Sequence, residues 1–342
     1  MSAAPPQDAG GQERPGSGAG LLYLSRADLA ALGIGAGEVV DAVDGACRAR
    51  GEGRAVMPPK LTIHGEGAEF SQVMGAYLPA ERALGAKWVT LYPQNAARGL
   101  PLTNGLVVLG DPDTGLPEAV MDAGTITAWR TGASVGVAAR YLARGGVERA
   151  GVLGCGVQAR AAVRALAAVL PGLRAVACHD AAEAAAVAFA TDLAAEFPAL
   201  AFEVRGRPHE IAAGAGVVVS AITMGDDPPP LDAGVLEPGA LAVALDYDAA
   251  WTPAAMAACD RFFCDDTPGV LAAKAAGPRL AGVPGDIAGD LGGLAAGRVP
   301  GRRDARERLF CLNLGMALED VVTARLAVDR ARAAGVGRLL PL

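Results

Sequence analysis

The run Gly154-Cys155-Gly156-Val157-Gln158-Ala159 lies between a short apolar segment, residues 150–153, and an alanine-rich stretch of helical character. Two glycines at this spacing permit a tight turn and a close backbone approach to a pyrophosphate. The small Ala159 lets the following helix pack tightly on the preceding strand. The N–H groups at the start of that helix, around Gly156, Val157 and Gln158, would then face the phosphates. A second apolar run, residues 173–178, ends at His179-Asp180. An acidic residue there is placed to accept hydrogen bonds from the two hydroxyls of a ribose and to repel a 2′-phosphate. Ala181 follows it, with no arginine to welcome that phosphate, so the pattern favours NAD(H) over NADP(H). Gly154, Gly156, Val157, Gln158, Asp180 and Thr223, the last closing the apolar run 217–223, are the expected cofactor contacts. The bland alternative is an α/β domain in which Asp180 merely caps the next helix. With 46 glycines in the chain, the motif takes its weight from this context.

Four other charged residues stand where the surrounding sequence is apolar or where an element ends. Lys87 falls in Leu84-Gly85-Ala86-Lys87-Trp88-Val89, an otherwise apolar strand. Facing inward, its ammonium needs a carboxylate partner or its pKa falls; facing outward, it is an ordinary solvated lysine. Arg130, in a helical stretch over residues 125–142, either grips a carboxylate in bidentate fashion or lies on the surface. Arg54 precedes Met57-Pro58-Pro59-Lys60, where a helix gives way to a sheet. Asp246 closes the apolar run 240–245, and the carboxyl ends of strands border the ligand crevice in open α/β sheets. Its ordinary alternative is a helix N-cap. The imidazoles are His64, His179 and His209. No two have the spacing of a metal site, and none has the context of a hydroxy-acid dehydrogenase's acid–base.

The elements that must position these residues divide the chain in two. Its 342 residues suggest about two domains, at roughly 150 residues each. Residues 21–24 read as a strand, with Ser25 as the cap of a following helix, and residues 37–50 as a second helix. From 57 to 122 the pattern changes to short strand-like runs separated by proline- and glycine-rich turns. Residues 147–264 alternate strands and helices as a doubly wound parallel sheet does, with 217–223 and 240–245 as buried strands. Residues 309–334 read as one long closing helix. The expected fold is therefore α/β, a Rossmann-type doubly wound parallel sheet plus a mixed α+β unit. The α+β unit is expected over 21–124, with 316–342 packing back, and the doubly wound domain over 125–315. Residues 1–20 read as a disordered tail and lack the pattern of a signal peptide.

Composition narrows the partners. The hydrophobic share of 52% is largely alanine, and no apolar run reaches the ~18 residues a spanning helix needs. A net charge of −7 without a basic stripe argues against nucleic acid. Six scattered cysteines without Cys-x-x-Cys pairs read as reduced thiols of a cytoplasmic protein.

Taken together, the segments resemble the ornithine cyclodeaminase/μ-crystallin family over nearly the whole chain. The resemblance is carried by Arg54…Met57-Pro58-Pro59-Lys60, Gly85-Ala86-Lys87-Trp88-Val89, residues 95–100, 111–115 and 127–132, and the turn at 154–159. Residues 290–293 and Leu314-Gly315-Met316-Ala317-Leu318-Glu319-Asp320 complete it. The resemblance implies a homodimer built through the first region and an NAD(H)-dependent reaction on a small amino or imino acid with a free carboxylate. It places Arg54 and Arg130 on that carboxylate, Lys87 near the reacting Cα–N centre, and Asp246 in acid–base catalysis. The chain departs from cyclodeaminases at Ala244-Leu245-Asp246-Tyr247-Asp248-Ala249-Ala250-Trp251, which lacks their glycines, proline and lysine. Tyr247, Asp248 and Trp251 are expected to make this wall bulkier and more acidic. That favours an imine reductase or amino acid dehydrogenase. A cyclising deaminase with catalytic NAD and a low-turnover μ-crystallin-like binding protein are the alternatives.

Overall fold

The computed structural model describes residues 20–342 apart from Ala68, Asp226 and Pro278. The expected tail, residues 1–20, lies outside the described residues except for Gly20. Strand β1 (Leu21–Leu24) leads into helix α1 (Arg26–Ala31) through a reciprocal cap. Asp28 N–H donates to Ser25 Oγ at 3.2 Å, and Ser25 N–H donates to Asp28 Oδ2 at 2.8 Å. Helix α2 (Ala36–Gly51) turns Val39, Val40, Val43 and Cys47 into the core at helical spacing. Strands β2 (Leu61–His64), β3 (Phe70–Leu78), β4 (Ala83–Leu91), β5 (Thr103–Gly110) and β6 (Pro117–Asp122) follow. Asp122 then starts helix α3 (Ala123–Leu142) by accepting the Thr125 N–H at 2.8 Å.

Beyond α3, strands and helices alternate: β7 (Arg149–Leu153), α4 (Val157–Val169), β8 (Ala175–His179), α5 (Glu183–Glu196), β9 (Ala201–Val204). Then come β10 (Val217–Ser220), β11 (Leu241–Ala244), α6 (Pro253–Ala257), β12 (Arg261–Cys264), α7 (Thr267–Ala275), β13 (Gly289–Asp290) and α8 (Leu291–Ala295). The chain finishes with β14 (Leu309–Leu312), α9 (Ala317–Ala334) and β15 (Arg338–Leu340).

Among the described residues the strands form two sheets. The eight-stranded one runs β13-β12-β14-β11-β10-β7-β8-β9, with every pairing parallel. Its order turns around between β7 and β10, the switch point at which such sheets open a ligand crevice. The seven-stranded one, β15-β1-β6-β5-β4-β3-β2, mixes antiparallel pairs with the parallel pair β1–β6. The fold is thus α/β, a Rossmann-like parallel sheet beside a second, mixed sheet.

The mixed sheet is two-sided. One cross-strand row, Met74, Lys87, Val107 and Met121, faces inward and is buried throughout. The next row, Leu61, Val73, Trp88 and Leu106, faces outward and is exposed. Alternation along each strand produces this division, and α9 and α3 cover the inner face.

The expected single helix over 309–334 is corrected. Leu309-Phe310-Cys311-Leu312 forms the central strand β14 between β11 and β12, and α9 begins only at Ala317. A four-residue apolar run reads alike in a buried helix and in a parallel strand buried on both faces. Gly315, at φ +83°, breaks the chain between the two elements. The strands expected at 217–223 and 240–245 are likewise shorter, which leaves Thr223 and Asp246 on the loops at their carboxyl ends.

Candidate active site

The glycine turn at the end of β7 is built as its sequence requires. Gly154 has φ +84°, and a Cβ there would meet the Ala221 carbonyl oxygen at 2.5 Å. Its own N–H donates to His179 O at 2.8 Å, which ties the turn to β8. A Cβ on Gly156 would point into open space. Gly156 begins α4 without a side-chain cap, so the helix's first N–H groups have no capping side chain of their own. Val157 is exposed, and the buried Oε1 of Gln158 has no hydrogen-bond partner. Asp180 Oδ2 accepts the Cys155 N–H at 2.8 Å, and Oδ1 accepts Ala182 N–H at 2.9 Å. The residue that starts α5 is Ala182, so Asp180 is held against the glycine turn and is not the helix cap. Thr223 lies exposed on the loop after β10, whose Ala221 and Ile222 abut Gly154. Uncapped N–H groups, open space at Gly156 and an orphaned Gln158 oxygen fit a dinucleotide.

The second group of residues sits on the inner face of the mixed sheet. Lys87, 1% exposed, lies in a row of apolar neighbours, and its Nζ donates to Asp320 Oδ1 at 2.7 Å. The Thr127 hydroxyl is 3.4 Å away. The same Asp320 oxygen lies 3.1 Å from Arg130 Nε, and Arg130 Nη1 donates to Glu319 Oε2 at 3.0 Å. That Glu319 oxygen also accepts the Met316 N–H at 3.1 Å and so helps start α9. Lys60 Nζ reaches Leu314 O at 2.8 Å, and Asp265 Oδ2 accepts the Gly315 N–H at 2.5 Å. Gly315 suits its φ of +83°, and a Cβ there would stand 2.2 Å from Arg130 Nη1 and displace the guanidinium.

Burial sets the proton affinities. It pushes Lys87 down to about 8, with Arg130 adding to the effect and Asp320 opposing it. Burial lifts Glu319 to about 7 against the pull of Arg130, and Asp265 to about 6 against that of Lys60. Burial also disfavours the charge on Arg130, yet Asp320 and Glu319 outweigh it and its pKa rises. Lys60 is lowered, first by burial. Lys60, Lys87 and Arg130 thus stand beside Asp265, Glu319 and Asp320, and within this set Lys87, Glu319 and Asp265 are the groups that burial brings towards neutrality. Glu319 Oε1 and Asp320 Oδ2 are buried without a hydrogen-bond partner, so each carboxylate retains accepting capacity.

Of the residues expected in the site, Lys87 and Arg130 come together. Arg54 stands apart, exposed just beyond α2, with its Nε donating to Glu52 Oε2 at 2.8 Å. Asp246 is also elsewhere. Ser220 Oγ donates to its Oδ1 at 2.9 Å and Ile222 N–H to its Oδ2 at 3.0 Å, so it binds the end of β10 to the end of β11. Burial lifts it to about 6, and its charged neighbour is Asp248. The expected wall is partly corrected. Trp251 is fully buried behind it, donating to Ser220 Oγ at 2.8 Å and packed edge-on to Phe310. Asp248 is engaged by Leu280 N–H at 2.6 Å and by Arg279 at 3.5 Å. Tyr247 is half-buried and packs against the hydrophobic cluster that holds Trp251 and Phe310.

Lys60, Asp265, Glu319 and Asp320 escaped the reading of single residues. A signal existed for the last two. Adjacent carboxylates between Leu318 and Val321, on a helix that buries both neighbours, must find cations.

Comparison with known proteins follows the same outline. A profile of the ornithine cyclodeaminase/mu-crystallin family matches residues 24–335. A nodulation efficiency protein, NfeD, of Rhizobium meliloti is 30% identical over 328 residues, which span 94% of this chain and 98% of the relative. The structure of Thermococcus litoralis Δ1-pyrroline-2-carboxylate reductase in complex with NADH and L-proline superposes with a TM-score of 0.86. It is 30% identical and covers 94% of this chain and all (100%) of that one. An archaeal alanine dehydrogenase dimer with bound NAD gives a TM-score of 0.80 at 29% identity, covering 93% and 98% of the two chains.

Proposed function

This chain belongs to the ornithine cyclodeaminase/mu-crystallin family, and we propose that it uses NAD(H) to interconvert a small α-amino acid and its imine. The observation that carries the reading is Lys87, a lysine sealed on the inner face of a sheet, pushed down to about 8 and sharing Asp320 with Arg130. When bound along the α4 turn, NAD(H) takes or supplies the hydride at the substrate's α-carbon.

The residues do the rest. Arg130, fixed by Glu319, Asp320 and the bare face of Gly315, offers its remaining guanidinium N–H groups to the substrate carboxylate. Arg54 is the second anchor. Its bond to Glu52 is a surface ion pair, worth about 0–1 kcal/mol, so turning inward to a carboxylate costs little. Lys87 moves the proton on nitrogen. In the oxidising direction it accepts a proton from the substrate's ammonium, and in the reducing direction it returns one. Asp265 is a positioning residue that holds Gly315 N–H and, through Gly315, the plane of Arg130.

The outward row of Leu61, Val73, Trp88 and Leu106, with Val108 beside it, is an apolar sheet face suited to a second copy of the chain. The proposed assembly is therefore a homodimer through the mixed sheet.

A spectrophotometric screen at the nicotinamide absorbance tests the reaction. Its panel is 2-oxo acids with ammonia or methylamine, cyclic imino acids, and free amino acids in reverse. Turnover of at least one amino/imino pair is expected. Release of ammonia from ornithine with proline formed and no net NAD consumption would replace this reading by a cyclodeaminase.

A further inference from the structure

We propose that Glu319 is a positioning residue that exchanges Arg130 for a proton: as the substrate's carboxylate settles on Arg130, Glu319 becomes a neutral carboxylic acid. The site then binds its anionic ligand together with one proton from solvent. This rests on the reading of Arg130 as the carboxylate anchor and adds to it how the site keeps its charge balanced.

The cluster around Arg130 is balanced before a ligand arrives. Its cations are Lys60, Lys87 and Arg130, and its carboxylates are Asp265, Glu319 and Asp320. Glu319 and Asp320 are fully buried, and Lys87 is nearly so. A further carboxylate leaves this buried set with one uncompensated negative charge, which a site shut off from water penalises heavily. A proton on one of the resident carboxylates restores the balance.

The hydrogen bonds select Glu319 for it. Asp320 Oδ1 lies between two cations, 2.7 Å from Lys87 Nζ and 3.1 Å from Arg130 Nε, so it keeps one when the other is drawn away. Asp265 faces Lys60 and accepts the Gly315 N–H at 2.5 Å. Among the described residues Glu319 has one ion-pair partner, Arg130 Nη1 at 3.0 Å, and that guanidinium is the one the ligand takes. The two oxygens of Glu319 are also unequal. Oε2 accepts Nη1 and the Met316 N–H, at 3.0 and 3.1 Å, whereas Oε1 is buried without a partner. The proton therefore goes onto Oε1, and the bond that starts α9 survives. Burial already lifts Glu319 to about 7 against the pull of Arg130, and weakening that pull carries it further up. The other elements packed on α9 bring no competing group. From α2 come Cys47, kept a thiol by burial, and Asp44, engaged by Tyr141 at 2.7 Å and Arg140 at 3.2 Å. Strands β3 and β5 bring Met74 and Val107, and Asp290, at the head of α8, is bonded to Gly293 N–H at 2.8 Å.

The test uses propanoate and pyrrole-2-carboxylate, which carry a carboxylate but no ammonium and no ketone. Each is titrated calorimetrically into the protein saturated with NAD⁺, at pH about 7.5, in phosphate and in Tris. These buffers differ in ionisation enthalpy, so the difference in heat counts the protons taken up with the ligand. Wild type should take up more than about half a proton, with Kd level below pH about 7 and rising towards about tenfold per unit above it. In Glu319→Gln the uptake should fall at least about threefold, and Kd should stay within about twofold from pH about 6.5 to about 8. Infrared spectra of wild type, bound minus free, need no variant and should gain the C=O band of a protonated carboxyl. Binding without proton uptake, uptake that persists in folded Glu319→Gln, or a difference spectrum without that band overturns the proposal and leaves Arg130 as the anchor. Failure of both acids to bind wild type removes the anchor itself, and this inference with it.

Discussion

Asp246 and Asp265 close two strands, β11 and β12, that flank β14 in one parallel sheet. They are 3% and 2% exposed, and burial lifts each to about 6. Position, burial and proton affinity do not tell them apart, yet their surroundings do. Asp246 spends its oxygens on Ser220 and Ile222, neighbours that knit two strand ends together. Asp265 faces Lys60 and holds the glycine against which Arg130 lies. Under the proposed reading, a strand-end carboxylate acquires chemistry from the cations near it, and Asp246, held by Ser220 and Ile222, acts as a clasp.

The strongest way to break this contrast is to remove the cation side. Lys87→Met is expected to lower kcat by about 10²–10⁴-fold, the usual worth of a positioned acid–base group. A loss under tenfold in steady-state assays would move the proton chemistry away from the cluster, with Asp246 the next group to test.

A smaller effect separates the two aspartates directly. Asp265→Asn is expected to raise KM about tenfold, equivalent to about 1.4 kcal/mol, by loosening Gly315 and Arg130. Asp246→Asn should leave KM within about twofold. Its signature lies in stability. Burial raises the native carboxyl's pKa, so the native state binds the proton more tightly than the unfolded chain does. The contribution of this carboxyl is therefore fully present below the unfolded value of about 4 and lost as pH rises through about 6. The melting-temperature difference between wild type and Asp246→Asn should shift against wild type across that window. A flat difference would contradict the burial of Asp246.

The pH profile sharpens the contrast further. With Lys87 pushed down to about 8, kcat/KM for imine reduction should fall above pH about 8, about tenfold per unit, while amino acid oxidation rises through the same region. Asp246→Asn should leave that alkaline limb in place. The smallest expected change in activity comes from Ser220→Ala, which strands Asp246 Oδ1 and Trp251 Nε1. Stability should drop by about 1–3 kcal/mol in denaturant titration, with turnover within about twofold of wild type.

How much of this was legible in the sequence depended on distance along the chain. The turn at Gly154 and its partner Asp180 are local, and both fell where spacing put them. Lys87 was legible as an anomaly, since an apolar strand seldom carries a lysine without reason. Its partner was not, because Asp320 lies 233 residues further on and only the docking of α9 brings it back. Leu309–Leu312 was misread as helix because four apolar residues carry no period. Trp251 was misread as a wall because a buried indole N–H reveals its partner, here Ser220, only in three dimensions. Asp246 was the instructive case: the right kind of place, and a different set of neighbours.

The docking of α9 carries one more consequence. Lys87 acquires its counter-charge, and Arg130 both of its carboxylates, from Glu319 and Asp320, while β15 completes the sheet beside β1. On the ribosome, the parallel sheet's early strands and the lysine-bearing strand emerge long before those acids. Until the last turns of the chain are synthesised and folded back, the lysine-bearing face lacks both its counter-ion and the helix that covers it. Under the proposed reading competence therefore arrives in one late step, and a product cut short before α9 is expected to be silent rather than partly active.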